Sequence, residues 1–211
     1  MSRFKIIIAI VLFAALVAGL FIGRYALSLH QVSFTVTKDL KVNVYQVINS
    51  VNQNSNTTVG DSAKISLQNG NYCAQPTDSK YDNTPVCFIV EGKDTSVTVE
   101  PNNSTNYLAQ LLPDELTAIN AVINQKYSAI IGNFTVTTGA LYQHGEWYGG
   151  TLTQNVSQAS DQGDVYRFVL HKMNNMWEVA AFPQIALNKY DYLNIPYDVL
   201  SATNKLVGTQ S

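Results

Sequence analysis

Residues 134–182 read FTVTTGALYQHGEWYGGTLTQNVSQASDQGDVYRFVLHKMNNMWEVAAF, and this stretch decides the class of the C-terminal half. It holds four runs, FTVTTGALY, EWYGGTLTQ, DVYRFVLHK and MWEVAAF, each rich in β-branched and aromatic residues and broken by polar or glycine-containing segments. Such runs favour extended strands, because branched and aromatic side chains pack well on a pleated surface. The last two runs meet at Met173-Asn174-Asn175, where asparagine tolerates the positive φ of a tight hairpin turn. Four consecutive strands joined this way predict an antiparallel sheet.

On the N-terminal side, Asn102-Asn103-Ser104-Thr105-Asn106 is a polar break and marks a domain boundary. A helix is expected after it. Pro113 suits its first turn, and Asp114 and Glu115 suit the positive end of its dipole. Leu116, Ile119, Ile123 and Tyr127 follow at helical spacing, and Gly132 closes it. Beyond the strands, a second helix is expected from Pro196 through Tyr197, Val199, Leu200 and Leu206. The expectation for 107–211 is an α+β roll, a helix on an antiparallel sheet, with a C-terminal helix. In element order alone, 107–190 resembles a cystatin-like or nuclear-transport-factor-like cone, which informs fold and not function.

Residues 34–101 read as short strands with turns: LKVNVYQVI, AKISL, NYCAQ, VCFIVEG and TSVTVEP. Period-two patterning in runs of this length predicts a small antiparallel β-sandwich, with Asn69-Gly70 and Gly92-Lys93 supplying turns. The order Leu67-x-x-Gly70-x-Tyr72, a polar tyrosine-bearing turn, then VCFIVEGKDTSVTVEP resembles a PEGA-type surface β-sandwich module, although the Pro-Glu-Gly-Ala tetrad is absent. That resemblance implies a binding or spacer role without catalysis.

The chain has two cysteines, Cys73 and Cys87. Folding the intervening PTDSKYDNTP as a hairpin about Lys80 sets them opposite each other, close enough for a disulfide. Closing such a loop contributes roughly 3 kcal/mol in the chain-entropy treatment and implies an oxidising compartment. The alternative is a pair of buried thiols.

Residues 6–23, IIIAIVLFAALVAGLFIG, carry no charged side chain. As a helix they would rise ~27 Å, near the ~30 Å of a bilayer core. Arg3 and Lys5 precede them, and Arg24 follows within snorkelling reach of headgroups. The expectation is a transmembrane signal anchor over 6–27 in contact with membrane lipid. It has a cytoplasmic tail at 1–5, a stem at 28–33, and all later residues extracytoplasmic at a plasma membrane. A signal peptide cleaved after Ser28, behind Ala26-Leu27, is the rival reading.

Charged residues make up 13% of the chain and the net charge is −2. No basic patch for displacing counterions from phosphates is present, which argues against nucleic acid as a partner. No GxSxG, GxGxxG or phosphate-loop motif occurs, and no cofactor is expected. His30, His144 and His171 are too far apart in sequence to suggest zinc, and His171 alternates with the apolar residues of its strand. Asp161 and Asp164 flank a turn, as Asp191 and Asp198 flank the final loop, and turn chemistry explains them better than paired catalytic carboxylates. A calcium cluster at Asp78, Asp82 and Asn83 lacks an EF-hand pattern. Trp147, Tyr148 and Trp177 carry two readings, packing in the sheet's core or an exposed platform for sugar or peptide. Tyr190, Tyr192 and Tyr197 are read as pinning the C-terminal segment. Together these features predict a non-enzymatic protein that binds or spaces at a cell envelope, with a protein or glycan partner. The alternatives are a docking subunit of an envelope-spanning assembly and an envelope hydrolase.

Overall fold

A computed structural model describes residues 13, 15–19, 28–48, 51–52, 57–156 and 163–208. The chain divides into two units, Met1–Asp78 with Asn83–Pro101, and Ser79–Asp82 with Asn102–Ser211.

Among its described residues from 29 onward, the first unit is built of strands: β1 (Leu29–Val36), β2 (Val42–Ile48), β3 (Val51–Asn52), β4 (Thr57–Val59), β5 (Lys64–Gln68), β6 (Gly70–Pro76), β7 (Val86–Val90) and β8 (Thr95–Val99). They form a β-sandwich-like pair of sheets, one ordered β5-β1-β8, the other β3-β2-β6-β7 with β4 also on β2. Alternation explains the core. Val32, Phe34 and Val36 of β1 point inward with Val42 and Val44 of β2, Ala74 of β6 and Val97 and Val99 of β8. Phe34 meets Phe88 edge-on at 5.8 Å, and Phe88 stacks on Tyr72 at 5.9 Å, so the two sheets share one aromatic cluster. Cys73 lies directly opposite Cys87 and is bonded to it.

Three features differ from the sequence reading. Residues 29–33, read as part of a stem, pair with β5 from Leu29↔Gln68 to Ser33↔Lys64. The sandwich is not wholly antiparallel, because β8 runs parallel to β1. Asn69-Gly70 and the Gly92 loop do not close hairpins but carry the chain from one sheet to the other. The Gly92 N–H donates to Asn69 Oδ1 at 2.8 Å, tying the two crossings together.

The expected membrane anchor is corrected. Among the described residues no helix is long and apolar enough to cross a membrane. Within the span 6–27 the described residues are 13 and 15–19, and they are helical. The remainder of that span and the flank at 1–5 lie outside the described residues. The fold class therefore loses its membrane element and becomes mainly β with a few helices. The single-pass plasma-membrane location falls with it.

The second unit carries helix α1 (Thr105–Lys126), a single turn α2 (Ser128–Ile131), strands β9 (Phe134–Tyr142), β10 (Trp147–Gln154), β11 (Val165–Met173) and β12 (Met176–Gln184), and helix α3 (Tyr197–Asn204). The strands form an antiparallel sheet ordered β12-β11-β10-β9. Asn174 and Asn175 both take positive φ (51° and 63°) in the β11–β12 turn, as the sequence suggested. Helix α1 begins eight residues before Pro113, not at it. The Ser104 side chain accepts from the Tyr107 N–H and caps the helix, leaving Pro113 in its interior. A capping serine sets the start more strongly than a tolerated proline does.

Helix α1 packs on β9 and β12, and α3 packs on β10 and β11. Strand β10 is buried on both faces along WYGGTLT because each face meets a different core. Tyr148 and Leu152 join Phe168, Leu170, Ile119 and Ile123 on the α1 side. Trp147 joins Val169, Val199 and Leu200 on the α3 side. Gly149 makes the second face approachable, since a Cβ there would sit 2.2 Å from Thr203 Oγ1 of α3.

Candidate functional site

At the hairpin-turn end of the second unit's sheet, a cleft of about 400 Å³ opens among α1, the β9–β10 turn and the β11–β12 turn. The turns are built by positive φ at Gln143, Gly145, Asn174 and Asn175. Leu111 and Leu141 give it apolar lining, while Glu115, His144, Glu146, Lys172, Asn174 and Asn175 supply polar groups.

Glu115 is already committed. Its Oε1 accepts from Lys172 Nζ at 2.5 Å and its Oε2 from the Trp177 indole N–H at 2.9 Å. The Lys172 ammonium also lies 5.7 Å from the centre of the Trp177 ring. Partial burial pushes the Glu115 carboxyl upward, but the hydrogen bonds from Lys172 and Trp177, with the lysine's charge, outweigh it and hold the group below its usual range. A carboxylate with both oxygens occupied and a lowered pKa has no proton to give and little basicity to offer. The groups with free capacity are the side chains of His144, Glu146, Asn174 and Asn175, exposed and without a hydrogen-bond partner of their own.

The aromatic residues singled out in the sequence lie elsewhere. Trp147 is 7% exposed, Tyr148 1% and Trp177 5%, and Trp147 faces the α3 core while the other two face the α1 core. They share no exposed platform. Tyr148 Oη accepts from the Gly139 N–H at 2.8 Å, and Trp147 stacks on His171 at 3.9 Å. His171 is thus half-buried against an indole, and His30 sits in β1 opposite Leu67. Asp161 lies outside the described residues, and the Asp164 carbonyl accepts from the Gln154 N–H. Among the described residues no group of three or more His, Cys, Asp or Glu could hold a metal ion.

A second exposed feature was misread in the sequence. In the segment after β12, Lys189 Nζ donates to the carbonyls of Leu193 (2.8 Å) and Ile195 (2.5 Å), and Asn188 Oδ1 accepts from the Tyr190 N–H. Leu187 and Ile195 are buried anchors, and Tyr192 Oη accepts from Gln184. Of the three tyrosines expected to pin this segment, only Tyr192 does so. Tyr190 is 87% exposed, Tyr197 70%, and Leu193 between them 73%. Nothing in KYDYLNIPY separates the anchored ring from the displayed ones, because an irregular loop has no periodicity.

No protein family matches the chain, and neither does any curated protein. Among solved structures, a crystal structure of a DUF3823 family protein from Parabacteroides merdae is similar at a TM-score of 0.29 and 12% identity, over 74% of this chain and 80% of that one. A likeness that slight carries no argument about fold or function.

Proposed function

We propose that the protein is a non-enzymatic binding module whose second unit holds a neutral, hydroxyl-rich ligand, a glycan, in the cleft beside α1. One observation carries this reading. The cleft's one partly buried carboxylate, Glu115, has its charge balanced by Lys172 and its second oxygen occupied by Trp177, while an imidazole, a carboxylate and two amides with open hydrogen-bonding capacity surround the apolar lining of Leu111 and Leu141. Amides pair with hydroxyls as both donor and acceptor, a carboxylate accepts from them, and leucine side chains take the C–H faces of a sugar ring. The β-sandwich-like first unit fits the spacer role that its PEGA-type resemblance implies, and the Cys73–Cys87 bridge fits an oxidising compartment. Titrating a panel of neutral oligosaccharides into the isotopically labelled full chain tests the proposal. Shifts should concentrate at Leu111, Leu141 and the two turns, and Asn174→Gly with Asn175→Gly, which removes both amides but keeps the positive φ of the turn, should weaken binding about tenfold or more. A spectrum unmoved by every sugar would sink it.

The displayed loop favours a second reading, a docking subunit of a larger assembly. Exposed, pre-ordered tyrosines are common anchors at protein interfaces. A stable complex purified from the native source should then lose its partner on Tyr190→Ser with Leu193→Ser. A solitary monomer in the wild type would count against it.

A further inference from the structure

A groove of about 260 Å³ runs between α3 and the loop that follows β12, and it shares no lining residue with the polar cleft. That is smaller than a drug-sized site and enough for a molecule of one ring. Its α3 wall is Tyr197, Leu200, Ser201, Asn204 and Lys205, whose spacing of i, i+3, i+4, i+7 and i+8 puts them on one helical face. Leu187 and Lys189 line it from the loop. Asn204 donates to the Leu187 carbonyl and accepts from the Leu187 N–H, both at 2.8 Å, and Lys189 holds the carbonyls of Leu193 and Ile195. The loop is tied at both ends, so the groove is pre-formed.

The lining carries two ammonium groups and no carboxylate, since Asp191 and Asp198 of the adjoining segment are not part of it. Among the described residues neither Lys189 nor Lys205 has a carboxylate within ion-pair distance, unlike Lys172, which is paired with Glu115. Lys189 is half-buried and gives two of its three N–H donors to neutral carbonyls, so one donor and the whole of its charge remain. A small groove lined by one sign of charge concentrates counter-ions of the other. Next to the charges, the Tyr197 ring is 70% exposed, Leu187 and Leu200 form an apolar floor, and Ser201 adds a hydroxyl donor. We propose that this groove is a second ligand site, distinct from the polar cleft, which takes a small aromatic carboxylate, with Lys189, Lys205 and Ser201 holding the carboxylate and Tyr197 covering the ring.

The probes are benzoate and benzamide, which share an outline and differ in charge. Both are titrated at constant ionic strength into the full chain, with binding read by nuclear magnetic resonance shifts of the Leu187 and Leu200 methyl groups and the Ser201 amide. The wild type should bind benzoate at least about fivefold more tightly than benzamide. Lys205 is the cation to remove, because it is exposed and ties down no loop, whereas Lys189 does. Lys205→Gln should weaken benzoate about three- to fivefold and leave benzamide unchanged. Ser201→Trp should fill the groove and abolish both sets of shifts, with the Leu152 methyl groups, in the other core, unmoved as the check on folding. The proposal is overturned if benzoate at tens of millimolar leaves Leu187, Leu200 and Ser201 where they were, if benzamide binds as tightly, or if Lys205→Gln leaves benzoate binding unchanged. Shifts that map to the polar cleft instead would overturn it equally, without touching the glycan reading.

Discussion

Replacing Gly149 with alanine tests how α3 is held on the sheet. A Cβ built at this position lies 2.2 Å from Thr203 Oγ1, 2.9 Å from Thr203 Cγ2 and 2.9 Å from a ring carbon of Tyr142. Thr203 is fully buried, and a Cβ has no rotamer through which to escape. The helix must lift or Thr203 must turn, an overpacking cost of about 1–3 kcal/mol. Against it stands a gain of roughly 0.4–1 kcal/mol from the stiffer unfolded chain. Subtraction leaves a net loss on the order of 1–2 kcal/mol, which urea unfolding followed by tryptophan fluorescence resolves easily. The double variant Gly149→Ala, Thr203→Ala supplies the decisive comparison. Thr203→Ala alone should cost about 1 kcal/mol, yet together the two should be less destabilising than their sum by at least ~1 kcal/mol, because the clashing atoms are gone. Recovery should be partial, since the Tyr142 contact remains. If Gly149→Ala unfolds at the wild-type urea concentration, or if the two changes simply add, the close approach of α3 is not what this glycine permits.

The Glu115 carboxyl is held below its ordinary value of 4.5, so its contribution is present above that value and is lost as pH falls through the lower folded pKa. Glu115→Gln should flatten the acid limb of the stability-against-pH curve below about pH 4.5 and cost on the order of 1 kcal/mol near neutrality, and a limb of unchanged steepness would show the network to be inert. Replacing Cys73 and Cys87 together with alanine should lower stability by roughly 3 kcal/mol, measured as a difference in denaturant midpoint between variant and non-reduced wild type, while adding reductant to the variant should change nothing further.

Local chemistry was legible in the sequence wherever one segment decided its own conformation. The four strands of the second unit, the left-handed Asn174-Asn175 turn and the pairing of Cys73 with Cys87 depend on near neighbours, and each stands in the structure. Pairings between distant segments were not legible. Strand β1 finds β8 more than sixty residues away and runs parallel to it, and period-two alternation names a face without naming a partner. Pro113 misled because its fixed φ suits a first turn, whereas Ser104 had already started the helix. Trp147 and Tyr148 are adjacent in sequence, so alternation sends them to opposite faces of β10, and what could have been a platform becomes two separate cores. The polar cleft was hidden for a related reason, since its groups come from three elements and no two lie at a spacing that suggests chemistry.

The four residues Ser79–Asp82 belong to the second unit although they sit within the loop closed by the first unit's disulfide. Ser104 Oγ, the cap of α1, donates to the Ser79 carbonyl at 2.6 Å, the Ser104 N–H donates to Lys80, and the Lys80 ammonium rests 5.1 Å from the centre of the Tyr107 ring. Cutting the gene at residue 101 would therefore not yield a whole C-terminal half. A fragment starting at Asn102 would begin its first helix with that cap stripped of its acceptor, and anyone dissecting the protein should supply the missing tetrapeptide or keep the chain in one piece.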